Sequence, residues 1–500
     1  MAESARAERT KALFGIEGLD GILNGGIERN RLYLVEGNPG TGKTTMAVQF
    51  LIEGQRAGET TLYITLSETE EELRATAHVH GWVLDGIEIC ELVPPESLLD
   101  ESQQQSLLYS SDLELGETTR AVLEIVERTK PDRVVVDSLS EIRLLAQSSL
   151  RYRRQMLGLK HFLSRHDCTA LLLDDMTADL SERTVHSIAH GVLHLEELSP
   201  LYGADRRRMR ITKLRGQAYR GGYHDFAIVD GGVRVFPRLV ASEHQVPFPA
   251  GQLQSGIATL DLLLGGGLDR GTSTLVIGPS GTGKTLIALE FAVATVRDGG
   301  CAAMFVLDED IRMLATRAAG IGLDVAAMQA SGKLLLEQVD PAELSPGEFA
   351  HRVRHAVEVD GAATVVIDSL NGYKAAMPGE QFLMLHMHEL LSYLGRRGVV
   401  SLLTMAQQGV IGDMRSPVDV TYLADSVMLL RFFEASGQVR RAVSVIKKRS
   451  GPHEDTIREL QVTSRGIEVG EPLRQFQGIL RGTPVYTGPA GLEMLGSEPT

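Results

Sequence analysis

Two short stretches of the chain combine glycines, a lysine and a threonine in an order suited to holding a polyphosphate. Gly37-Asn38-Pro39-Gly40-Thr41-Gly42-Lys43-Thr44 and Gly278-Pro279-Ser280-Gly281-Thr282-Gly283-Lys284-Thr285 both fit the P-loop pattern. Glycines let successive backbone N–H groups turn inward around phosphate oxygens, and a helix N-terminus just beyond adds unpaired donors. Lys43 and Lys284 can reach β- and γ-phosphates, and the hydroxyls of Thr44 and Thr285 suit a magnesium ion. The candidate nucleotide-binding residues of the first loop are Gly37, Gly40, Thr41, Gly42, Lys43, Thr44 and Thr45. Those of the second are Gly278, Gly281, Thr282, Gly283, Lys284, Thr285 and Leu286. Binding of a nucleoside triphosphate such as ATP, at two places, is the chemistry these residues imply.

Such a site also needs acids. Asp137 closes the run Arg133-Val-Val-Val, and Asp368 closes Thr364-Val-Val-Ile, so each stands where a buried strand would end. That position suits a Walker-B carboxylate orienting the metal. An Asp-Ser pair is equally a good helix N-cap, which is the competing role. Glu68 and Glu309 follow the next apolar runs and are candidates for activating water, against the alternative of solvated turn acids. Lys213 with Arg215, and Lys447 with Arg449, place two cations on one side of an extended segment. They suit contact with the γ-phosphate of a neighbouring subunit, or else a solvated basic edge that blocks strand addition.

The elements that must position these groups occur twice. Gly15-Ile-Glu-Gly-Leu-Asp20 is echoed by Gly256-Ile-Ala-Thr-Leu-Asp261, an offset of 256 − 15 = 241, and Lys43 to Lys284 gives 284 − 43 = 241. The register persists to Glu68 and Glu309, so the chain reads as a duplicated domain. Apolar runs at 32–35, 61–66, 133–137, 170–173 and 191–195 alternate with helical spacing at 46–51 and 151–165; the second half repeats the order. Alternating strands and helices predict an α/β fold with mostly parallel sheets covered on both faces. The proline-bearing segment 237–255 is the expected linker, giving domains at 1–245 and 246–485 and a flexible tail at 486–500.

Composition narrows the partners. Hydrophobic residues make up 43% and charged residues 23% of the chain, as in globular proteins that fold in water. A net charge of −15 argues against generic binding to nucleic-acid backbones. Cys90, Cys168 and Cys301 have no metal-ligand spacing and no even pairing, which fits a reducing compartment. Neither a signal peptide nor an apolar run of membrane-spanning length is recognisable. A cytoplasmic location without membrane association is expected.

Taken in order, the Gly-Ile-x-x-Leu-Asp openings, both P-loops, the post-strand acids, the Walker-B acids and the Lys-x-Arg ends resemble the KaiC family of double-domain ATPases. The likeness spans roughly residues 12–485. It implies two tandem RecA-like P-loop NTPase domains in a homohexamer of two stacked rings, with ATP and magnesium at subunit interfaces. It also implies that Lys213, Arg215, Lys447 and Arg449 act across the interface. Two departures stand out. The family's clock members carry Glu-Glu after the strand, whereas this chain has Ser67-Glu68 and Asp308-Glu309. Clock members phosphorylate an adjacent Ser-Thr pair, and the matching positions here are Thr421 and Tyr422, with Thr421 the phosphoacceptor implied by the resemblance. Ser416 and Ser426 are neighbouring hydroxyls. The short segment after Pro484 resembles members without a KaiA partner, so the implied partner is a KaiB-like protein or none.

Two other readings compete with such an ATPase. A RecA-like nucleic-acid motor or recombinase would use Arg206-Arg-Arg-Met-Arg210 and Arg151-Tyr-Arg-Arg154, against the acidic total charge. A ring scaffold would bind ATP without turning it over.

Overall fold

A computed structural model describes residues 11–92, 107–146, 148–176, 184–200, 203–375, 380–407, 421–481 and 484–487. The chain divides into two compact units, the first ending at Arg238 and the second starting at Leu239. Each is built on one nine-stranded sheet.

In the first unit the strands are β1 (Leu32–Glu36), β2 (Thr61–Thr65), β3 (Ile87–Glu91), β4 (Arg133–Asp137), β5 (Thr169–Asp174), β6 (Gly191–Leu198), β7 (Arg206–Leu214), β8 (His224–Val229) and β9 (Gly232–Phe236). Their spatial order is β3-β2-β4-β5-β1-β6-β7-β8-β9. Strands β3 through β6 in that order run parallel, and β7, β8 and β9 extend the sheet antiparallel. The second unit repeats this with β10 (Ser273–Gly278), β11 (Cys301–Val306), β12 (Leu334–Gln338), β13 (Ala362–Asp368), β14 (Val400–Ala406), β15 (Ser426–Ala435), β16 (Gln438–Lys448), β17 (Arg458–Thr463) and β18 (Gly466–Pro472). Its order, β12-β11-β13-β14-β10-β15-β16-β17-β18, is the same topology. The expected α/β fold with mostly parallel sheets flanked by helices is the observed one. The basic stretches near 206–215 and 440–449, expected to end on extended segments, form the first antiparallel strands, β7 and β16.

The central strands are apolar along their whole length because both faces are covered. Tyr33, Val35, Tyr63, Val135, Leu171 and Leu173 pack on one face of the first sheet. Leu34, Leu62, Ile64, Val134, Val136 and Leu172 pack on the other. Alternation along each strand therefore divides one run of hydrophobic residues between two cores. The second sheet divides in the same way, with Val276, Met304 and Val366 against Leu275, Phe305 and Val365.

Of the expected tail, Tyr486 pairs with Phe476 in a short antiparallel ladder, and residues 488–500 lie outside the described part. Ser416 lies outside it too.

Candidate nucleotide-binding and catalytic sites

Each P-loop connects the carboxyl end of a central strand to a helix. The helices span Lys43–Arg56 and Lys284–Arg297, and each is preceded by a glycine in the left-handed region, Gly42 at φ 93° and Gly283 at φ 104°. Neither glycine offers a side-chain cap, so first-turn N–H groups remain directed at the loop, where anions are favoured. Thr41 and Thr282 brace the loops by donating to the carbonyls of Asn38 (2.8 Å) and Pro279 (2.9 Å). Thr45 and Leu286, one turn into the helices, are buried.

The lysines lie folded across their own loops. Lys43 donates to the carbonyls of Gly37 at 2.8 Å and Asn38 at 2.9 Å, and Lys284 to that of Pro279 at 2.8 Å. Lys43 also forms an ion pair with Asp175 at 2.8 Å. Burial lowers the proton affinity of Lys284, opposed by the charges of Asp368 and Asp308.

Both Walker-B candidates reach the P-loop threonines. Thr44 donates to Asp137 Oδ2 at 3.0 Å, and the same oxygen accepts from the Tyr63 hydroxyl at 2.6 Å. Asp368 accepts from the Thr404 hydroxyl, and the nearby Thr285 hydroxyl also favours its charged form. Burial raises the proton affinity of both aspartates, and the hydroxyl bonds oppose it. A buried carboxylate and a hydroxyl at the mouth of a phosphate loop are hard oxygen donors of the kind a magnesium ion takes. Asp137 and Asp368 are the last residues of β4 and β13, and each accepts hydroxyl bonds there.

Glu68 and Glu309 sit just ahead of helix caps. Thr69 caps the helix Glu70–Val79 in a full capping box with Glu72, and Asp310 caps Ile311–Gly320. The strands beside them are tied to the Walker-B strands, Leu66 N to Asp137 O and Leu307 N to Asp368 O, both at 2.6 Å. Each glutamate is thereby held at the carboxyl edge beside its Walker-B acid. Burial raises the proton affinity of Glu68, reinforced by Asp137, Glu72 and Asp175. Burial does the same to Glu309, but Arg317 pulls against it through an ion pair of 2.7 Å. In the second domain these groups line one cavity of about 460 Å³ with Lys284, Thr285, Asp308, Asp368 and Arg441.

The Lys-x-Arg pairs lie elsewhere. Lys213 donates to the carbonyls of His186 and Ala189, and Arg215 to that of Ser187. Lys447 donates to those of Thr421 (2.8 Å) and Ala424 (2.6 Å), and Arg449 to that of Tyr422 (3.0 Å). All six carbonyl groups precede β6 or β15, whose amino ends face away from the P-loop of the same domain. The pairs are therefore not brought to their own domain's loop. The basic run Arg206–Arg210 is largely neutralised within the sheet. Arg207 and Arg208 pair with Glu197 and Glu196 at 2.7 Å, and Arg208 stacks on Tyr223.

Sequence reading missed Asp175, Arg317, Tyr63, Thr404 and a buried cluster behind the first P-loop. There Glu36, preceding Gly37, contacts His186 Nε2 at 2.5 Å and His194 Nδ1 at 3.0 Å. Burial alone would raise the Glu36 pKa, but the two histidines hold it at about 2. No motif marked these residues, because their partners come from separate strands and helices brought together only by the fold.

A family model described as "ATPase: KaiC" matches residues 13–240 and again 253–474. The Circadian clock protein KaiC3 of Synechocystis sp. is 28% identical over 488 residues, covering 96% of both chains. The Circadian clock oscillator protein KaiC of Acaryochloris marina is 26% identical, covering 96% of this chain and 92% of the relative. That of Synechococcus elongatus is also 26% identical, covering 94% and 91%. Among the described residues, no helix is long and apolar enough to cross a membrane.

Proposed function

The chain belongs to the KaiC family of ATPases, and from that premise we propose that it hydrolyses ATP in both domains as a homohexamer serving timing or signalling in the cytoplasm. One observation carries the reading: in each domain the P-loop threonine stands at the Walker-B aspartate, Thr44 donating to Asp137 at 3.0 Å and the Thr285 hydroxyl favouring the charged form of Asp368. That pairing completes a phosphate-and-metal site twice over.

In this reading the loop N–H groups with Lys43 or Lys284 bind the β- and γ-phosphates. Thr44 with Asp137, and Thr285 with Asp368, would hold magnesium, which neutralises phosphate charge when bound. Glu68 and Glu309 orient the attacking water and take its proton, helped by the burial that raises their proton affinity. Lys213 with Arg215, and Lys447 with Arg449, reach the nucleotide of the adjacent subunit, since they do not face their own P-loops. A KaiB-like protein is the proposed partner. A nucleic-acid motor is disfavoured by the acidic charge and by the internal pairing of Arg207 and Arg208.

The test is ATP turnover and ring assembly in Glu68→Gln, Glu309→Gln and the double variant. Each single variant should lose one domain's turnover and the double variant nearly all of it, while hexamers persist. Wild type that assembles without turnover would instead make the protein a scaffold.

Phosphoryl transfer to Thr421 is a second reading. It is favoured by the bond from Lys447 to the Thr421 carbonyl, which ties this acceptor to the proposed cross-subunit pair. Phosphosite mapping after incubation with magnesium ATP decides it: absence of phosphate on Thr421 removes this activity. Ser426 is buried in β15 and is a poorer acceptor.

A further inference from the structure

The first site lacks a carboxylate that the second has, and the structure contains the consequences of that loss. In the second domain Asp308, preceding Glu309, accepts a hydrogen bond from the Ser369 hydroxyl. Ser67 takes the place of Asp308 in the first domain, at 308 − 241 = 67. The counterpart of Ser369 is Ser138, since each follows its Walker-B aspartate. Ser138 Oγ is buried with no hydrogen-bond partner, which is unusual for a hydroxyl inside a protein.

The space around the position has changed as well. Gly372 lies three residues after Ser369, and a Cβ there would collide with Asp308. Its counterpart, three after Ser138, is Glu141. The second domain thus has Asp308 with Gly372, and the first has Ser67 with Glu141. The first domain thus carries a side chain at the position where the second keeps a glycine against its acid.

A third carboxylate nevertheless reaches the first site, from the opposite side of the Walker-B strand. Asp174 pairs with Glu36 and Met405 with Ile277, so Asp175 corresponds to Ala406. Ser140 contacts the Asp175 backbone amide at 3.4 Å, and its counterpart Asn371 bonds the Ala406 amide at 2.8 Å, which fixes the same match independently. The acid is therefore absent after β2 and present after β5, while the second domain has it after β11 and lacks it after β14. Each site ends with three neighbouring acids: Glu68, Asp137 and Asp175, or Glu309, Asp368 and Asp308. The electrostatic neighbours agree, for Glu68 feels Asp137 and Asp175, and Glu309 feels Asp368 and Asp308.

We propose that Asp175 is a positioning residue for ATP hydrolysis in the first domain, replacing Asp308 by holding the Lys43 ammonium in an acid-lined site from the neighbouring strand. It acts through Lys43, to which it is bonded at 2.8 Å. The inference rests on the assignment of Glu68 and Glu309 as the water-activating residues.

The experiment uses the full-length chain carrying Glu309→Gln, so that first-domain turnover is read alone. Asp175→Ala should lower kcat by about tenfold to a hundredfold, as loss of an outer positioning group does, with the loss in kcat rather than in KM for ATP. Adding Ser67→Asp and Glu141→Gly to Asp175→Ala rebuilds the second domain's arrangement and should recover most of the lost kcat. Unchanged or faster turnover in Asp175→Ala overturns the proposal, and so does a triple variant no faster than Asp175→Ala although its ring and melting temperature match wild type. The control Glu68→Gln/Glu309→Gln separates the two layers. Turnover persisting there overturns the assignment of the glutamates, whereas its loss together with a failed rescue overturns only the role of Asp175.

Discussion

The two nucleotide sites share one plan, and each fastens it with different neighbours. In the first, the Walker-B Asp137 is bonded by Tyr63 from β2. In the second, Asp368 is bonded by Thr404 from β14 on its other side. The first site pairs its P-loop lysine with Asp175 and the second pairs its glutamate with Arg317. Behind the first loop lies a buried Glu36 between two histidines; the matching residues in the second domain are Ile277 and Leu429. A duplicated domain has thus kept the groups that face phosphate while exchanging the groups that support them. The supporting groups are free to change strand because a parallel sheet offers two neighbours to every strand end.

That contrast is broken most strongly at Glu36. Its carboxylate is nearly inaccessible, so Glu36→Ala removes the partner of His186 Nε2 and His194 Nδ1, leaving His194 only its bond to Glu196, and should cost the first domain about 3 kcal/mol. Glu36→Ile combined with His194→Leu copies the second domain and should cost less than Glu36→Ala alone. Domain-resolved hydrogen exchange during thermal unfolding measures both, and equal losses would deny that the cluster works as a unit. The pH dependence has two signs. The depressed Glu36 pKa contributes stability above the ordinary carboxylate range that is lost as pH falls toward about 2. His194 is raised, chiefly by its bond to Glu36, so its contribution is full below the ordinary imidazole range and fades as pH rises through the raised value.

A smaller effect is expected where the Walker-B acids are supported. Tyr63→Phe in the first domain and Thr404→Val in the second each remove one hydroxyl from a buried aspartate, and each should weaken magnesium-dependent nucleotide binding by about tenfold in its own domain. Magnesium titration of each variant in the opposite glutamate-silenced background reads this. If only one of the two matters, the supports are not equivalent and the contrast sharpens.

The smallest effect concerns Arg317. Removing it frees Glu309 from the cation that opposes burial, so Arg317→Ala should move the acidic limb of second-domain turnover to higher pH. The corresponding residue in the first domain is Thr76, at 317 − 241 = 76. Thr76→Arg should move the first domain's limb the other way, and pH–rate profiles in the two silenced backgrounds compare them. A limb that does not move in Arg317→Ala would make the ion pair a surface contact without influence on Glu309.

Most of the fold and the position of each P-loop could be read from the chain. Strand–loop–helix patterning, the 241-residue offset and the acid closing a β-branched run all depend on neighbours along the sequence. Local rules govern them: glycine is needed where φ is positive, a covered parallel strand is apolar throughout, and a helix begins with open N–H groups. The resemblance of the motifs to the KaiC family rested on the same local groups, and the family match bears it out. Asp175 was not legible, because an aspartate after an apolar strand has the same local pattern whether it is solvated or paired to a lysine more than a hundred residues away. The Glu36 cluster failed to show for a related reason. A charged residue at a strand end reads as an exposed edge until β6 brings His194 alongside. Sequence therefore determined that the chain carries two ATPase domains of one family and where their P-loops lie. Only the tertiary structure decided which strand supplies each supporting acid, hydroxyl and cation, because those pairings are set by sheet order, and sheet order is not written in any one segment.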